Sequence, residues 1–468
     1  LDAKFKIDRY YNKLKIILRK DFFMSLKSSF AEFAGRSSYW FLHTFMHGGS
    51  SLPGKITLKL DPDILQSFAK KYDLVIVTGT NGKTLTTALS VRVLREKYSD
   101  VLTNPTGSNM KQGIVTTFIT APKPKQKGLA VLEVDEANVA IVTSYITPVA
   151  FVFTNIFRDQ MDRYGEIYTT YEKILKGVRM APKATIIANG DEQLFNTQNL
   201  PNPVIYYGFN HEHHDDLRAP ANTDGLLCPK CQHILHYHLI TYAGLGDYFC
   251  PHCGFKRPKL DYAVTKLGKL TPTSSTFELD GQEYRIEIGG LYNIYNALAA
   301  YALGRFLGVS QSQIKHAFES DERVFGRQEE INIDGKKTTL ILVKNPVGLN
   351  QVLDMIETDP EPFSFVFLLN ANYADGIDTS WIWDGDFEKL TQHDIKQYMT
   401  GGERYKDITT RLMMAGVDNI WKEPELASVL TKIKDLPTDH VYVLASYTAV
   451  LQLRKLLAEK GYIKGGMD

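Results

Sequence analysis

The chain has 468 residues, 44% of them hydrophobic, and sets 54 Lys and Arg against 53 Asp and Glu for a net charge of +1. That length points to two or three domains with ample apolar content for packed cores; the charge balance excludes a nucleic-acid binder working through bulk positive charge. There is no run of about 18 uninterrupted apolar residues, so no transmembrane helix is expected, and a cytoplasmic protein is expected, acting at the inner face of the membrane if its substrate is anchored there.

Leu1 to Phe23 carry seven basic side chains among bulky apolar ones, without a signal-peptide cleavage pattern. Two readings stand: a basic amphipathic helix on a membrane surface, or, preferred, an upstream extension ahead of a natural start at Met24. Phe30, Phe33, Tyr39, Trp40, Phe41 and Phe45 follow at spacings that suit a helix packed on a core or a partner. Residues 1–48 are therefore taken as an extension and helical segment, and the loop Gly49 to Gly54 as the entry to the first folded unit.

From Lys55 to about Val309 short apolar runs alternate with helical patterns, the signature of a parallel α/β sheet flanked by helices. Strands are predicted at Leu74–Val77, Leu129–Leu132, Val149–Phe153 and Thr185–Ala188. The first runs into Thr78-Gly79-Thr80-Asn81-Gly82-Lys83-Thr84 and then a helix near Leu85. In strand, glycine loop and helix order, backbone N–H groups and the helix dipole converge on an anion. Lys83 would reach the β- and γ-phosphates of ATP, and Thr84 would offer its hydroxyl to Mg2+. A glycine is usual where Val77 stands, so the match is to a variant. The second strand delivers Glu133-Val134-Asp135-Glu136 to the carboxyl edge where ligands bind in such sheets; Glu133 or Glu136 could hold Mg2+ there, or simply form a solvated turn. Thr154 to Asp162 follows the next strand with densely packed polar groups.

Cys228-Pro-Lys-Cys231 and Cys250-Pro-His-Cys253 are separated by 18 residues, and the chain has no other cysteine. Two such knuckles make a four-thiolate structural Zn2+ site, within an inserted ribbon of about 219–258, with disulfide pairing as the competing reading. A hairpin is predicted between Ser275 and Ile288. In the following helix Asn293 and Asn296 share a face and could read a base edge, or Asn293 could be a helix cap. The central domain is placed at 49–317 and a smaller Rossmann-like domain at 318–468. The hinge, Asp321 to Gln328, carries Arg327, which could swing onto the triphosphate. C-terminal strands at Thr339–Val343, Phe365–Leu369 and Val441–Leu444 frame a loop containing Asp375, Asp378 and Asp384.

Taken together, Thr78 to Thr84, the Glu133 strand end, Thr154 to Asp162, Asn293 to Ala300 and Gly326 to Glu329 resemble, in order, the ATPase motifs of the Mur ligases. The resemblance is strong from about Lys55 to Arg327, and no complete UDP-sugar domain is expected ahead of it. The ribbon and the Asp375 to Trp383 segment resemble more narrowly the ligase subunits of lipid II isoglutaminyl synthases. That resemblance implies amidation of the D-glutamate α-carboxylate of lipid II through an acyl phosphate. It also implies a separate GatD-type glutaminase subunit that supplies ammonia, and an aspartate, Asp378 or else Asp375, that orients the partner's histidine. Gln160 stands where many Mur ligases have a histidine, and Ile341-Leu342-Val343-Lys344 where they have Asp-Tyr-Ala-His; ammonia as the nucleophile is compatible with both departures. A self-sufficient ligase of the folylpolyglutamate synthetase type, or a nucleotide-gated binding module, remain competing readings.

Overall fold

The computed structural model describes residues 26–45, 51–104, 108–124, 126–158, 166–219, 225–320 and 328–463. Among the described residues eleven strands precede residue 290: β1 (Tyr72–Thr78), β2 (Val101–Thr103), β3 (Gly128–Glu133), β4 (Ala150–Phe153), β5 (Thr185–Asn189), β6 (Val204–Phe209), β7 (His236–Tyr242), β8 (Leu245–Phe249), β9 (Tyr262–Leu270), β10 (Ser275–Leu279) and β11 (Gln282–Ile286). Nine of them form one sheet in the order β11-β10-β9-β6-β5-β4-β1-β3-β2, with β7 and β8 apart as a hairpin. The sheet is parallel from β2 to β9; β10 and β11 add an antiparallel edge. Asp280 and Gly281 turn that edge hairpin with positive φ at both positions, as a two-residue turn matched to strand twist requires.

Alternation along β1 divides the core. Val75 and Val77 face the helices Lys83–Arg95 and Leu291–Phe306, while Leu74 and Ile76 face Lys111–Thr120 and Ile167–Val178. Both faces are covered, so the strand reads as one apolar run. The chain leaves β1 for β2 at the sheet edge, returns to β3 beside β1, and crosses to the other side of β1 for β4. This reversal opens a crevice beyond the carboxyl ends of β3, β1 and β4. The helix Gln311–Glu319 packs on β11 and on the Lys83–Arg95 helix, so the first domain extends past 317.

The second domain holds β12 (Glu329–Ile333), β13 (Lys336–Leu342), β14 (Phe363–Leu368), β15 (Ile395–Gly401), β16 (Ile420–Glu423) and β17 (His440–Ala445), in the order β12-β13-β17-β14-β15-β16. All neighbours are parallel except β12 and β13. Residues 26–45 form the predicted N-terminal helix, but its aromatic face is not packed on the core. Ala31 and Gly35 face inward, and Phe30, Phe33, Trp40, Phe41 and Phe45 are exposed. No helix among the described residues is long and apolar enough to cross a membrane.

Candidate active site

The loop after β1 can only be built with glycine at two positions. Gly79 has φ 130°, and a Cβ there would lie 2.3 Å from Thr154 Oγ1; Gly82 has φ 81°, and its Cβ would lie 2.1 Å from Asn296 Oδ1. The loop is held from β4. Thr80 N donates to Asn155 O at 2.8 Å, Phe157 N donates to Thr80 Oγ1 at 3.1 Å, and the Asn155 side chain accepts from Asn81 N at 2.8 Å and donates to Asn81 O at 3.2 Å. These bonds fix a backbone cradle at the N-terminus of the Lys83–Arg95 helix, which suits a polyphosphate.

Lys83 begins that helix and is buried; its ammonium donates to Gly79 O at 2.5 Å, Thr80 O at 3.2 Å and Glu136 Oε1 at 3.1 Å. Burial pushes the Glu136 carboxyl above the usual carboxylate range; Lys83 pulls it down, Asp135 adds to the rise, and Lys344 opposes it. Glu133, also buried, sits level with Val77 on the neighbouring strand and accepts from Asn109 Nδ2 at 3.3 Å. Its backbone is bracketed by Asn104, which accepts from Glu133 N and donates to Glu133 O, both at 2.8 Å. Thr84 is half-buried in the first turn of the helix. Glu136 is thus the acid paired to Lys83 at the cradle.

The second domain closes over this loop. Asn345 Nδ2 donates to Asn81 Oδ1 at 2.9 Å, and Asn81 Nδ2 donates to Asn345 Oδ1 at 3.3 Å. Asn345 also caps the helix Pro346–Ile356 by accepting from Gly348 N at 2.8 Å. Lys344, half-buried beside it, brings a second cation toward Glu136. Arg158 and Asp384 approach to 3.8 Å across the same joint, and Gln328 Nε2 donates to Gly289 O at 3.1 Å and to Tyr292 OH at 3.0 Å.

Away from the loop, the sulfurs of Cys228, Cys231, Cys250 and Cys253 all lie within 4.8 Å of one another, with Cys228–Cys253 at 3.6 Å and Cys231–Cys250 at 3.5 Å. A tetrahedral ion with ~2.3 Å metal–sulfur bonds needs sulfurs ~3.8 Å apart, so the four fit one Zn2+. Beyond the carboxyl end of β14 Asp375 is buried: its carboxylate accepts from Thr448 N at 2.7 Å, from the Thr448 hydroxyl and from Asn372 N at 3.0 Å. Asp378 is exposed and accepts from Ser380 N at 2.8 Å and Ser380 Oγ at 2.9 Å. Tyr373, Ile377 and Trp383 of the same stretch of chain are also exposed.

The sequence matches the Mur ligase middle domain over residues 77–235 and the MurT ligase C-terminal domain over residues 342–450. It is 53% identical, over 95% of this chain and 100% of the relative, to the lipid II isoglutaminyl synthase (glutamine-hydrolyzing) subunit MurT of Streptococcus pneumoniae. The chain belongs to the MurT family of Mur ligases. A Staphylococcus aureus MurT subunit is 36% identical over 79% of this chain and 84% of its own length. The structure of a pseudomurein peptide ligase type C from Methanothermus fervidus superposes with a TM-score of 0.65 at 18% identity, covering 85% of this chain and 81% of that one, which shows the shared fold.

In this MurT fold Lys83 pairs with Glu136 beside the loop Gly79 to Thr84, and Glu133 stands level with Val77, just ahead of that loop. Asn293 Nδ2 donates to Gly289 O at 2.6 Å, Asn296 Nδ2 donates to Asn293 Oδ1 at 3.1 Å, and Asn296 Oδ1 accepts from Thr86 Oγ1 at 3.1 Å. Both are buried, and Asn296 lies against Gly82 of the loop. Arg327 lies outside the described residues, as do Gln160 and Asp162. Asn104, Asn155 and Asn345 are positioning residues that the sequence did not single out. A strand followed by asparagine is too common a pattern to flag them.

Removing the clasp with Asn345→Ala should lower amidation kcat/KM by about 10- to 100-fold, the equivalent of two neutral hydrogen bonds at ~0.5–1.5 kcal/mol each. Because Asn345 also caps a helix, Asn81→Ala and the double variant complete a cycle that isolates the cross-domain part. Additive losses in that cycle would remove the clasp from catalysis.

Proposed function

We propose that this chain is the ATP-dependent ligase subunit that converts the D-glutamate α-carboxylate of the membrane-anchored lipid II stem peptide to an amide, with ammonia delivered by a GatD-type glutaminase in a heterodimer. The observation that carries the reading is the glycine cradle with buried Lys83 and Glu136, closed by Asn345 and Lys344 from the second domain. A site of this kind works by positioning and by neutralising charge on a transferring phosphoryl group. Lys83 and the backbone N–H groups at the helix N-terminus hold the γ-phosphoryl while the substrate carboxylate oxygen attacks phosphorus and the bond to ADP breaks. Lys344 stands on the opposite wall, where charge gathers on the carboxyl phosphate. Ammonia then adds to the activated carbonyl, the bond from that carbon to the phosphate oxygen breaks, and the proton that nitrogen sheds goes to the departing phosphate. Thr84 and Glu133, with Glu136 as the second acid, would hold Mg2+, which supplies further neutralisation of the phosphates.

Nitrogen must come from elsewhere. Glutamine hydrolysis of the Cys-His type needs an activated thiol, and all four cysteines of the chain lie in the cluster suited to structural Zn2+. Of the two candidates, Asp375 and Asp378, Asp378 is the one on the surface and so the one that a partner's histidine could meet. Asp378→Asn should cut glutamine-driven amidation by at least about 100-fold, while ammonium-driven amidation by the same complex continues. The test is a reconstitution of the chain with its cognate glutaminase, lipid II and ATP, with amide and ADP measured under both nitrogen sources. Equal loss with glutamine and ammonium would place Asp378 elsewhere in the mechanism; no substrate-dependent ADP release under either would overturn the function.

A further inference from the structure

The N-terminal helix, residues 26–45, is inside out for a helix on a protein surface. It meets the body through its smallest residues: Ala31 and Gly35 are buried, and a Cβ on Gly35 would lie 2.1 Å from Thr57 Oγ1 and 2.8 Å from Ile119 Cδ1. Ser28 Oγ donates to Asp61 at 2.5 Å, and an Arg36 guanidinium nitrogen to Ala121 O at 3.1 Å, so the inward face is specifically seated. Leu26, Phe30, Phe33, Trp40 and Phe41 recur at intervals that place them along one stripe. They and Phe45 are each more than half exposed. Phe45 ties the end of the stripe together, 5.1 Å from Phe41 and 6.0 Å from Trp40 between ring centroids. An exposed patch of this size and make-up marks a binding surface.

Charge selects the occupant. The helix has one acid, Glu32, and it is paired with Arg36 at 3.0 Å and Lys123 at 3.3 Å. The helix Leu52–Leu60 that it packs against exposes Lys55 and Lys59. The stretch ahead of it, outside the described residues, has seven Lys and Arg against Asp2, Asp8 and Asp21. An aromatic and leucine face rimmed by cations is the composition of a helix that lies in the headgroup layer of an anionic membrane.

We propose that this face docks the enzyme on the anionic surface of a lipid bilayer, where a lipid-linked substrate would be held. The link to substrate rests on the function proposed above, whereas the docking itself does not. The test is co-sedimentation of the full chain with vesicles of phosphatidylglycerol and phosphatidylcholine in equal parts, and with phosphatidylcholine alone, using the variant Phe33→Ser/Trp40→Ser/Phe41→Ser as comparison. The expected result is binding to the anionic vesicles that weakens in high salt and falls about tenfold or more in the variant. The variant should melt like the parent chain and, in the reconstituted complex, amidate a soluble lipid-free stem peptide as well as the parent does, while losing about tenfold on substrate embedded in vesicles. A parent chain that stays in solution with both vesicles, or a variant that sediments equally, overturns the proposal. So does a variant whose oligomeric state or glutaminase binding changes on gel filtration, which would assign the face to a protein. Sedimentation requires neither ATP nor substrate, so a failure of the amidation reading leaves this outcome independent.

Discussion

Lys83→Ala is expected to lower ATP-dependent amidation by at least about 1000-fold, the loss of ~4 kcal/mol of transition-state stabilisation typical when a preorganised charge is removed from a water-poor site. The ammonium bridges the loop carbonyls of Gly79 and Thr80 and the carboxylate of Glu136, so the substitution removes the cation and loosens the cradle together. It also leaves Glu136 buried without its nearest counter-charge, which drives that carboxyl further up and toward the protonated form. Lys83→Ala/Glu136→Gln separates the two effects: it should fold at least as well as the single variant and remain inactive. Amide formed and ADP released are the measurements, with zinc content by elemental analysis as the control, since the cluster lies in the separate ribbon. Activity within tenfold of the parent would remove Lys83 from phosphoryl transfer.

The second large effect concerns the ribbon. Cys228→Ser/Cys250→Ser should reduce bound zinc to below about a tenth of the parent and lower the thermal midpoint by roughly 10 °C. The apolar cluster under the knuckles is small, consisting of Cys228, Leu235, Tyr237, Tyr248, Cys250 and Phe255, and a core of that size needs a staple such as a metal ion to hold a fold. The damage should spread inward. Arg257, just past the second knuckle, donates to Asp191 at 2.7 Å and to Phe209 O at 2.7 Å, and buried Asp191 also accepts from Tyr295 OH at 2.7 Å in the helix that braces the phosphate loop. Burial already pushes the Asp191 carboxyl up against the pull of Arg257; stripping the guanidinium away when the ribbon unravels costs ~3–5 kcal/mol. Differential scanning calorimetry with and without a chelator checks this. An unchanged midpoint after complete metal removal would show the thiols to be incidental.

Features local in the chain were legible from the sequence. The phosphate loop is a contiguous turn whose glycines and lysine carry their own meaning, and the two cysteine knuckles announce a tetrahedral site by spacing alone. Strands buried on both faces, such as β1 and β3, stand out as apolar runs. β9 did not, because along Tyr262–Leu270 only Val264 is fully buried and lysines face the solvent, and β2 is three residues at a sheet edge. Contacts that assemble the site across long separations left no trace. Asn81 and Asn345 are 264 residues apart, and nothing in either neighbourhood names the other. Asp375 and Asp378 look equivalent as letters; burial and the helix at Tyr447–Glu459 separate them. The aromatic helix was read with a core or a partner as alternative neighbours, and the aromatics face away from the core, because periodicity shows that a face exists and is silent about which face the glycine turns inward.

The clasp between the two domains is built from carboxamides on both sides. Neither group titrates and neither is attenuated by counter-ions, whose screening at physiological ionic strength sets in over ~8 Å and acts on charges. The neighbouring guanidinium–carboxylate contact at 3.8 Å is open to solvent on both partners and yields to electrolyte. The amide latch itself therefore contributes equally at any ionic strength or acidity, and the part of the closure that a change of salt or pH can alter is carried by Lys344 facing Glu136 and by Arg158 facing Asp384.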